Sequence, residues 1–305
     1  MAMDYLKVLN DFACDVTVIG RSGTNAELIQ NNYPGFVCYA GGLEKYLAEN
    51  PEVPELAINA VTIGQLHATS MLLIKAGVKQ LLLENPGGLS VDDLSSLDEL
   101  ARNNFANVWI AYNRRFYASV KKLMTEVALD GGPSSAHFEF TEWLHTIDPA
   151  MFGKESLEKW IYSNSAHIID AVFSIIGYPK ELSVQVHGKN LVRWHPSGSI
   201  FTGMGVSEMD VPFTYHSNWQ GPGRWAIEII TQHRRFYLKP IEKLQVQLKG
   251  SVAVDWVPID DADDKNFKPG LKQQTLAFLT GDASKLFALS GQIRNFSFFQ
   301  QIAGY

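Results

Sequence analysis

The chain has 305 residues, about twice the roughly 150 that one domain commonly takes, which predicts two domains with separate cores and excludes a stapled miniprotein. Apolar residues make up 46% and charged residues 19%, the balance of an ordered globular protein and not of a disordered one. Lys and Arg number 26 against 32 Asp and Glu, a net charge of −6 with neither sign gathered into a block. Capture of nucleic acid or of an anionic membrane therefore has no electrostatic basis, and a small molecule is the expected partner. Cys14 and Cys38 form no C-x-x-C pair, which excludes a disulfide framework or a cysteine zinc site and suits a reducing cytoplasm. The sequence holds no run of about eighteen apolar residues, and its start, Met1 to Lys7, lacks the apolar core of a signal peptide, so a soluble, unexported, cytoplasmic protein is expected.

In chain order, residues 3 to 12 carry helical spacing and lead directly into a strand. The next hundred residues repeat one pattern: a short aliphatic run, a polar turn, an amphipathic stretch. The runs are Val16 to Ile19, Phe36 to Tyr39, Leu56 to Val61, Lys79 to Glu84 and Asn107 to Tyr112, most of them continuously apolar, as parallel strands covered on both faces should be. Helices are predicted between them, among them Leu66 to Ala76, closed by Gly77, and Asp92 to Asn103. Such alternation defines an α/β, Rossmann-like doubly wound sheet. The pattern opens on a crossover helix with no strand before it, and no G-x-G-x-x-G stands near the start, so the first, central strand is expected to be missing. After Gly131-Gly132 period-two stretches predict mainly antiparallel strands at Ala136 to Glu142, Leu182 to Val186, Ser199 to Val206, Val211 to Trp219, Arg224 to Gln232 and Lys243 to Lys249. One helix, Ala166 to Ile176, interrupts them, and His233-Arg234-Arg235 reads as a solvated turn. The expected division is a Rossmann-like domain over residues 1–125 and an α+β domain with a large open-faced sheet over 126–305. The strand at 224–231 is apolar at many positions on both faces, which predicts a homodimer or homotetramer formed through that sheet.

Ligands of open α/β sheets sit beyond the carboxyl ends of the strands, which directs attention to Gly20-Arg21-Ser22-Gly23, Thr62 to His67, Glu84-Asn85-Pro86-Gly87-Gly88 and Tyr112-Asn113-Arg114-Arg115-Phe116. The residue after the second Rossmann strand reads the adenosine ribose, where Arg21 with Ser22 suits the 2′-phosphate of NADP; taken alone, Arg21 is equally an exposed loop residue. No His, Asp and Glu set has metal-ligand spacing, and no G-x-S-x-G elbow is present.

The order Thr62 to His67, Ala76-Gly77, Glu84-Asn85-Pro86, Asn113-Arg114-Arg115-Phe116 and Ser165-Ala166-His167-Ile168-Ile169-Asp170 resembles the glucose-fructose oxidoreductase and inositol dehydrogenase (Gfo/Idh/MocA) family over nearly the whole chain. The resemblance implies a nicotinamide-dependent dehydrogenase acting on a CH–OH group of a sugar, nucleotide sugar or cyclitol, with NADP or NAD as cofactor. It assigns Arg21, Ser22, Thr62, His67, Glu84, Asn85, Arg114 and Arg115 to the dinucleotide, His167, Asn85 and Tyr162 to catalysis, and Tyr112, Trp160, Asn164, His167 and Lys268 to the substrate. Three departures stand out. Met1-Ala2-Met3 aligns where the glycine loop would enter the first helix; Asn85 replaces the lysine of Glu-Lys-Pro; and Ser163 stands where an aspartate precedes the histidine by four. An amide donates a hydrogen bond but supplies no charge to a developing alkoxide. His167 remains able to take the alcohol proton, or merely to cap or pack its helix; Asp170, three residues on, is placed to orient its ring or to cap a backbone group. The competing expectation is a catalytically impaired relative that binds a sugar or dinucleotide.

Overall fold

The computed structural model describes residues 1–50 and 53–305. They divide into two compact units, Met1–Ala111 with Leu271–Gly291, and Tyr112–Gly270 with Gln292–Tyr305. The sequence reading places one boundary near residue 125; the contacts divide the chain at 111, because the helix that follows packs on strands of the second unit, and return residues 271–291 to the first.

In the first unit, α1 (Ala2–Asp11) buries Tyr5, Leu6, Val8 and Leu9 along one stripe. β1 (Thr17–Gly20), α2 (Ala26–Asn32), β2 (Val37–Ala40) and α3 (Leu43–Glu49) follow, then β3 (Leu56–Asn59), α4 (Leu66–Ala76), β4 (Gln80–Glu84), α5 (Val91–Asn103) and β5 (Asn107–Ala111). Gly77, at φ 112°, closes α4 in the left-handed conformation that a side chain disfavours, and Ser90 with Asp93 forms a reciprocal cap at the start of α5. The run Leu81-Leu82-Leu83 is fully buried, as a strand covered on both faces requires.

The parallel strands lie in two separate sheets. β1 pairs with β2, and β3, β4 and β5 form a second sheet, edged by the antiparallel β14 (Phe287–Ala288). Among the described residues no ladder joins β1 to β3, where a doubly wound sheet of this order carries its central strand. In consequence Val18, Ile19, Ala57 and Ile58 stay only half-buried. Val18 and Ile58 pack instead on a small cluster of Leu6, Leu9, Ile29 and Phe36, which also takes the free thiols Cys14 and Cys38.

The second unit holds α6 (Ala118–Leu129), β6 (Ser135–Glu139), α7 (Lys154–Glu158), α8 (Ala166–Ile176), β7 (Pro179–His187), β8 (Ile200–Ser207), β9 (Pro212–Asn218), β10 (Ala226–Ile230), β11 (Arg234–Leu238), β12 (Gln245–Leu248), β13 (Asp255–Trp256) and α9 (Ala262–Asn266). The strands form one sheet in the order β13-β12-β11-β10-β6-β9-β8-β7, antiparallel except for the β6–β9 pair. Phe138 is the centre of its covered face, within 6.3 Å, ring to ring, of Phe140, Phe173, Phe213 and Tyr215. Phe173 comes from α8, so the helix that carries His167 is bound to the sheet through this aromatic core. α10 (Leu271–Leu279) belongs to the first unit, and α11 (Leu289–Ala303) contributes its residues from Gln292 onward to the second.

Two expectations for this sheet need correction. His233 does lie in the exposed turn between β10 and β11, but Arg234 opens β11 and reaches α6, donating to both Asp130 oxygens at 2.8 Å and to Glu126 at 2.6 Å. On β10 the buried Ile227 and Ile229 alternate with Glu228 and Ile230, and Glu228 is paired with Arg235 across the open face, so that face is mixed in character and not apolar throughout.

Amide hydrogen exchange tests the divided sheet. Amides of β1 and β3 should exchange about 10²-fold faster or more than those of Leu81 to Leu83, since each has a bare edge. Equal protection in β1 and β4 would contradict the split.

Candidate functional site

In the second unit the site is assembled from the turn after β5 and the start of α8. A 3-10 turn, Asn113–Phe116, follows Tyr112, whose buried hydroxyl donates to Gln292 at 2.9 Å. Asn113 donates to the Pro269 carbonyl at 2.9 Å, which ties the turn to the segment bearing Lys268. Arg115 clamps the turn onto α8: its Nε and Nη2 each meet one Asp170 oxygen at 2.7 Å, and Nη2 also donates to the Tyr178 hydroxyl at 3.1 Å. Asn295 adds a donor to Asp170 at 3.2 Å. Burial pushes the Asp170 carboxyl up and the Arg115 charge pulls it back.

His167 lies in the first turn of α8, 9% exposed, its ring edge-on to Tyr112 at 5.5 Å between centroids. Its Nδ1 is buried and has no hydrogen-bond partner among the described residues. Burial, helped by the Arg114 and Lys268 cations, holds the imidazole pKa well below its ordinary value, so the ring is neutral at pH 7 and free to accept a proton or hydrogen bond. Arg114 stands over the Trp225 ring at 4.8 Å and donates to Asn113 at 3.0 Å.

The structure therefore brings Tyr112, Arg114, His167 and Lys268 together, and separates other expected residues from them. Asp170 does not orient His167; it is committed to Arg115, and Arg115, expected at the cofactor, is committed to Asp170. Tyr162 stacks on Phe296 at 4.4 Å and meets Tyr305 edge-on at 5.0 Å, and burial raises its pKa to about 12, which suits packing more than proton transfer. Trp160 lies edge-on to Phe152 and Trp194 within the same aromatic layer. Ser163 turns back on its own helix, donating to the Ser156 carbonyl at 3.0 Å. Asn164 binds a residue that sequence reasoning passes over: Glu142, just beyond β6 and 3% exposed, accepts from Asn164 at 3.1 and 3.0 Å and from Ser165 at 2.6 Å. Burial raises the Glu142 pKa, offset by these donors and by the Arg224 charge. The available signal is an acid at the inward register of a period-two pattern, Phe138, Phe140, Glu142.

The first unit presents its expected residues at strand ends. Arg21 and Ser22 are exposed just past β1, with the Ser22 hydroxyl 3.0 Å from that of Thr24. Thr62 caps the 3-10 turn before α4. His67 is 3.0 Å from the Ser96 hydroxyl and 4.0 Å from Asp93, both on α5. Glu84 accepts from the Tyr5 hydroxyl at 2.7 Å, and Asn85 is 4% exposed. Gly87, at φ 85°, lets the next turn pass within contact of Ile110, Leu94 and Leu83, where a Cβ would crowd all three. Among the described residues no group of three or more His, Cys, Asp or Glu could hold a metal ion.

Among the described residues a divided, Rossmann-like parallel sheet is followed by a large mainly antiparallel sheet, a two-part fold shared with several solved oxidoreductases. Among solved structures it is similar to an oxidoreductase from Agrobacterium radiobacter in complex with NAD+, L-tartaric acid and magnesium, at 12% identity and a TM-score of 0.75, covering 98% of this chain and 91% of that one. UDP-N-acetylglucosamine 3-dehydrogenase GnnA from Acidithiobacillus ferrooxidans is similar at 16% identity and 0.71, covering 95% and 96%. The super-repressor mutant of Gal80p from Saccharomyces cerevisiae is similar at 12% and 0.77, covering 98% and 90%. No family model matches the chain, and no curated protein matches it in sequence.

The neutral histidines give a test in acid. His167 and His195, the latter depressed to about 4 by burial, hold folded-state pKa values below the roughly 6.5 of an unfolded chain. Below that pH the unfolded state takes up protons that the folded state refuses, so stability should fall by about 1.4 kcal/mol per pH unit for each. In urea melts at about pH 7 and about pH 5.5, His167→Gln should lose roughly 1 kcal/mol less than the parent between the two. Equal losses would mean that His167 charges freely in the fold.

Proposed function

We propose that the protein is an oxidoreductase that transfers hydride between a nicotinamide dinucleotide, NADP in preference to NAD, and a hydroxyl-bearing carbon of a sugar, nucleotide sugar or cyclitol. The observation that carries this is the neutral, buried His167, with an unpartnered Nδ1, beside Tyr112 and under the influence of two cations. When bound, the nicotinamide supplies the hydride acceptor or donor. His167 takes the alcohol proton as the carbonyl forms, and the Arg114 and Lys268 cations favour oxygen as negative charge grows on it. Neighbours whose names mention NAD+, a hydroxy acid and a nucleotide sugar support this choice of class.

The dinucleotide is assigned to the strand-end loops of the first unit. The exposed guanidinium of Arg21, with the hydroxyls of Ser22 and Thr24, fits a 2′-phosphate. The pyrophosphate is less well served, because a glycine turn between a central strand and its helix is not among the described residues, and Thr62, Glu84 and Asn85 are left to contact the remainder. The free thiols Cys14 and Cys38 support a reducing, cytoplasmic setting. The open sheet face, with a shallow depression lined by His137, Ser183, Met204, Thr214, Glu228 and Arg235, is the surface by which two copies would associate.

A second reading, a binding protein without turnover, is favoured by one observation: Asn85 and Ser163 carry no charge, and the Ser163 hydroxyl is directed to the carbonyls of Ser156 and Lys159. The similarity to a Gal80p repressor mutant is compatible with it. Turnover separates the two. With NADP+ and a panel of sugars, cyclitols and nucleotide sugars, the appearance of reduced nicotinamide is expected, and His167→Ala should lower kcat by roughly 10² to 10⁴-fold with cofactor affinity nearly unchanged. Binding of a panel member without any turnover would establish the second reading; undiminished kcat in the variant would remove His167 from the chemistry.

A further inference from the structure

We propose that Glu142 is a positioning residue that fixes Asn164 with its carboxamide oxygen turned to the ligand, so that the start of the His167 helix recognises a hydroxyl by accepting its hydrogen. The inference rests on the hydroxyl-compound reading above and gives that site a specificity rule. An ionised carboxylate only accepts, and both Glu142 oxygens lie at hydrogen-bond distance, 3.1 and 3.0 Å, from Asn164 Nδ2. That end of the amide is therefore the NH2, and Oδ1 is turned away from Glu142, making no hydrogen bond among the described residues. The Ser165 hydroxyl supplies another donor at 2.6 Å, and Arg224 is the cation acting on the carboxyl, so burial raises its pKa and these partners counter the rise at a group 3% exposed.

The placement suits recognition. Between Ile161 and Phe173 every residue is buried except Asn164, which keeps partial exposure. Asn164 lies in a π-helical turn, Ile161–Ser165, that runs directly into α8, where His167 stands three residues further on with its own Nδ1 unpartnered. An amide oxygen and a neutral imidazole three residues apart in the chain suit the hydroxyls of a polyol. Ser163, where the sequence resemblance implies an aspartate, is bound to the carbonyls of Ser156 and Lys159, so a carboxyl group reaches this helix start from the segment beyond β6, through Glu142. Without that carboxylate the amide of Asn164 could rotate by half a turn and offer a donor in place of the acceptor.

The test compares the parent with Asn164→Asp, Glu142→Gln and the double exchange, by melting temperature at about pH 5.5 and about pH 8 and by tryptophan fluorescence titration with myo-inositol. Asn164→Asp sets two carboxylates face to face, which raises their folded-state pKa values, so the variant should melt at least ~4 °C lower, relative to the parent, at the higher pH than at the lower. The double exchange restores one amide against one carboxylate and should remove that pH dependence. Glu142→Gln should melt as the parent does yet bind myo-inositol roughly 10-fold more weakly, a change that a merely structural role would not produce. An Asn164→Asp variant as stable as the parent at both pH values, or a Glu142→Gln variant with undiminished binding, would overturn the proposal. A parent with no response to myo-inositol or to UDP-N-acetylglucosamine would contradict the hydroxyl-compound reading itself, and the melting pair would still decide whether Glu142 holds Asn164.

Discussion

The ion pair between Arg115 and Asp170 is the contact on which the rest of the second unit's site depends. It joins the turn after β5 to the helix bearing His167 through two bonds of 2.7 Å, with Asp170 fully buried. Removing one partner of such a pair typically costs about 3–5 kcal/mol, because the other charge is left uncompensated in the interior. The Tyr178 hydroxyl accepts from Arg115 and Asn295 donates to Asp170, which uses the remaining capacity of the pair, so its geometry admits little variation. Arg114, next in sequence, is thereby held where its charge acts on His167. The same contact explains why Asp170 leaves the His167 ring alone.

Beneath the helix start a second buried carboxylate works in the opposite sense. Asp170 is neutralised by a cation and serves packing, whereas Glu142 is surrounded mainly by neutral donors and directs a partly exposed amide. Two acids in one unit are thus separated by environment into a structural and a positioning role. In the first unit the limiting constraint is backbone pairing. β1 and β3 each have a bare edge, and the apolar residues between them are covered only by the cluster around Leu6 and Phe36.

Much of this fold is legible in the sequence. Continuous runs such as Leu81-Leu82-Leu83, the Gly77 closure and the period-two strands after Gly132 follow from local rules. β11 is not legible, because Arg234 looks like a turn residue until Asp130 and Glu126, a hundred residues earlier, take its charge. Glu142 and Ser163 show the same limit in the site: spacing marks where a carboxylate is wanting on the helix, and only the sheet's position reveals where one is supplied. Local patterns encode elements; partners of buried charges are set by tertiary contact.

The proposed function turns on whether the first unit holds a dinucleotide at Arg21, and calorimetric titration of the 305-residue chain with NADPH and with NADH measures this directly. Binding is predicted for both, tighter for NADPH, with Arg21→Ala narrowing the gap by roughly 1–3 kcal/mol, the value of a charge-assisted contact. Equal affinity for the two, a gap unchanged by the substitution, or no heat of binding with either would contradict it.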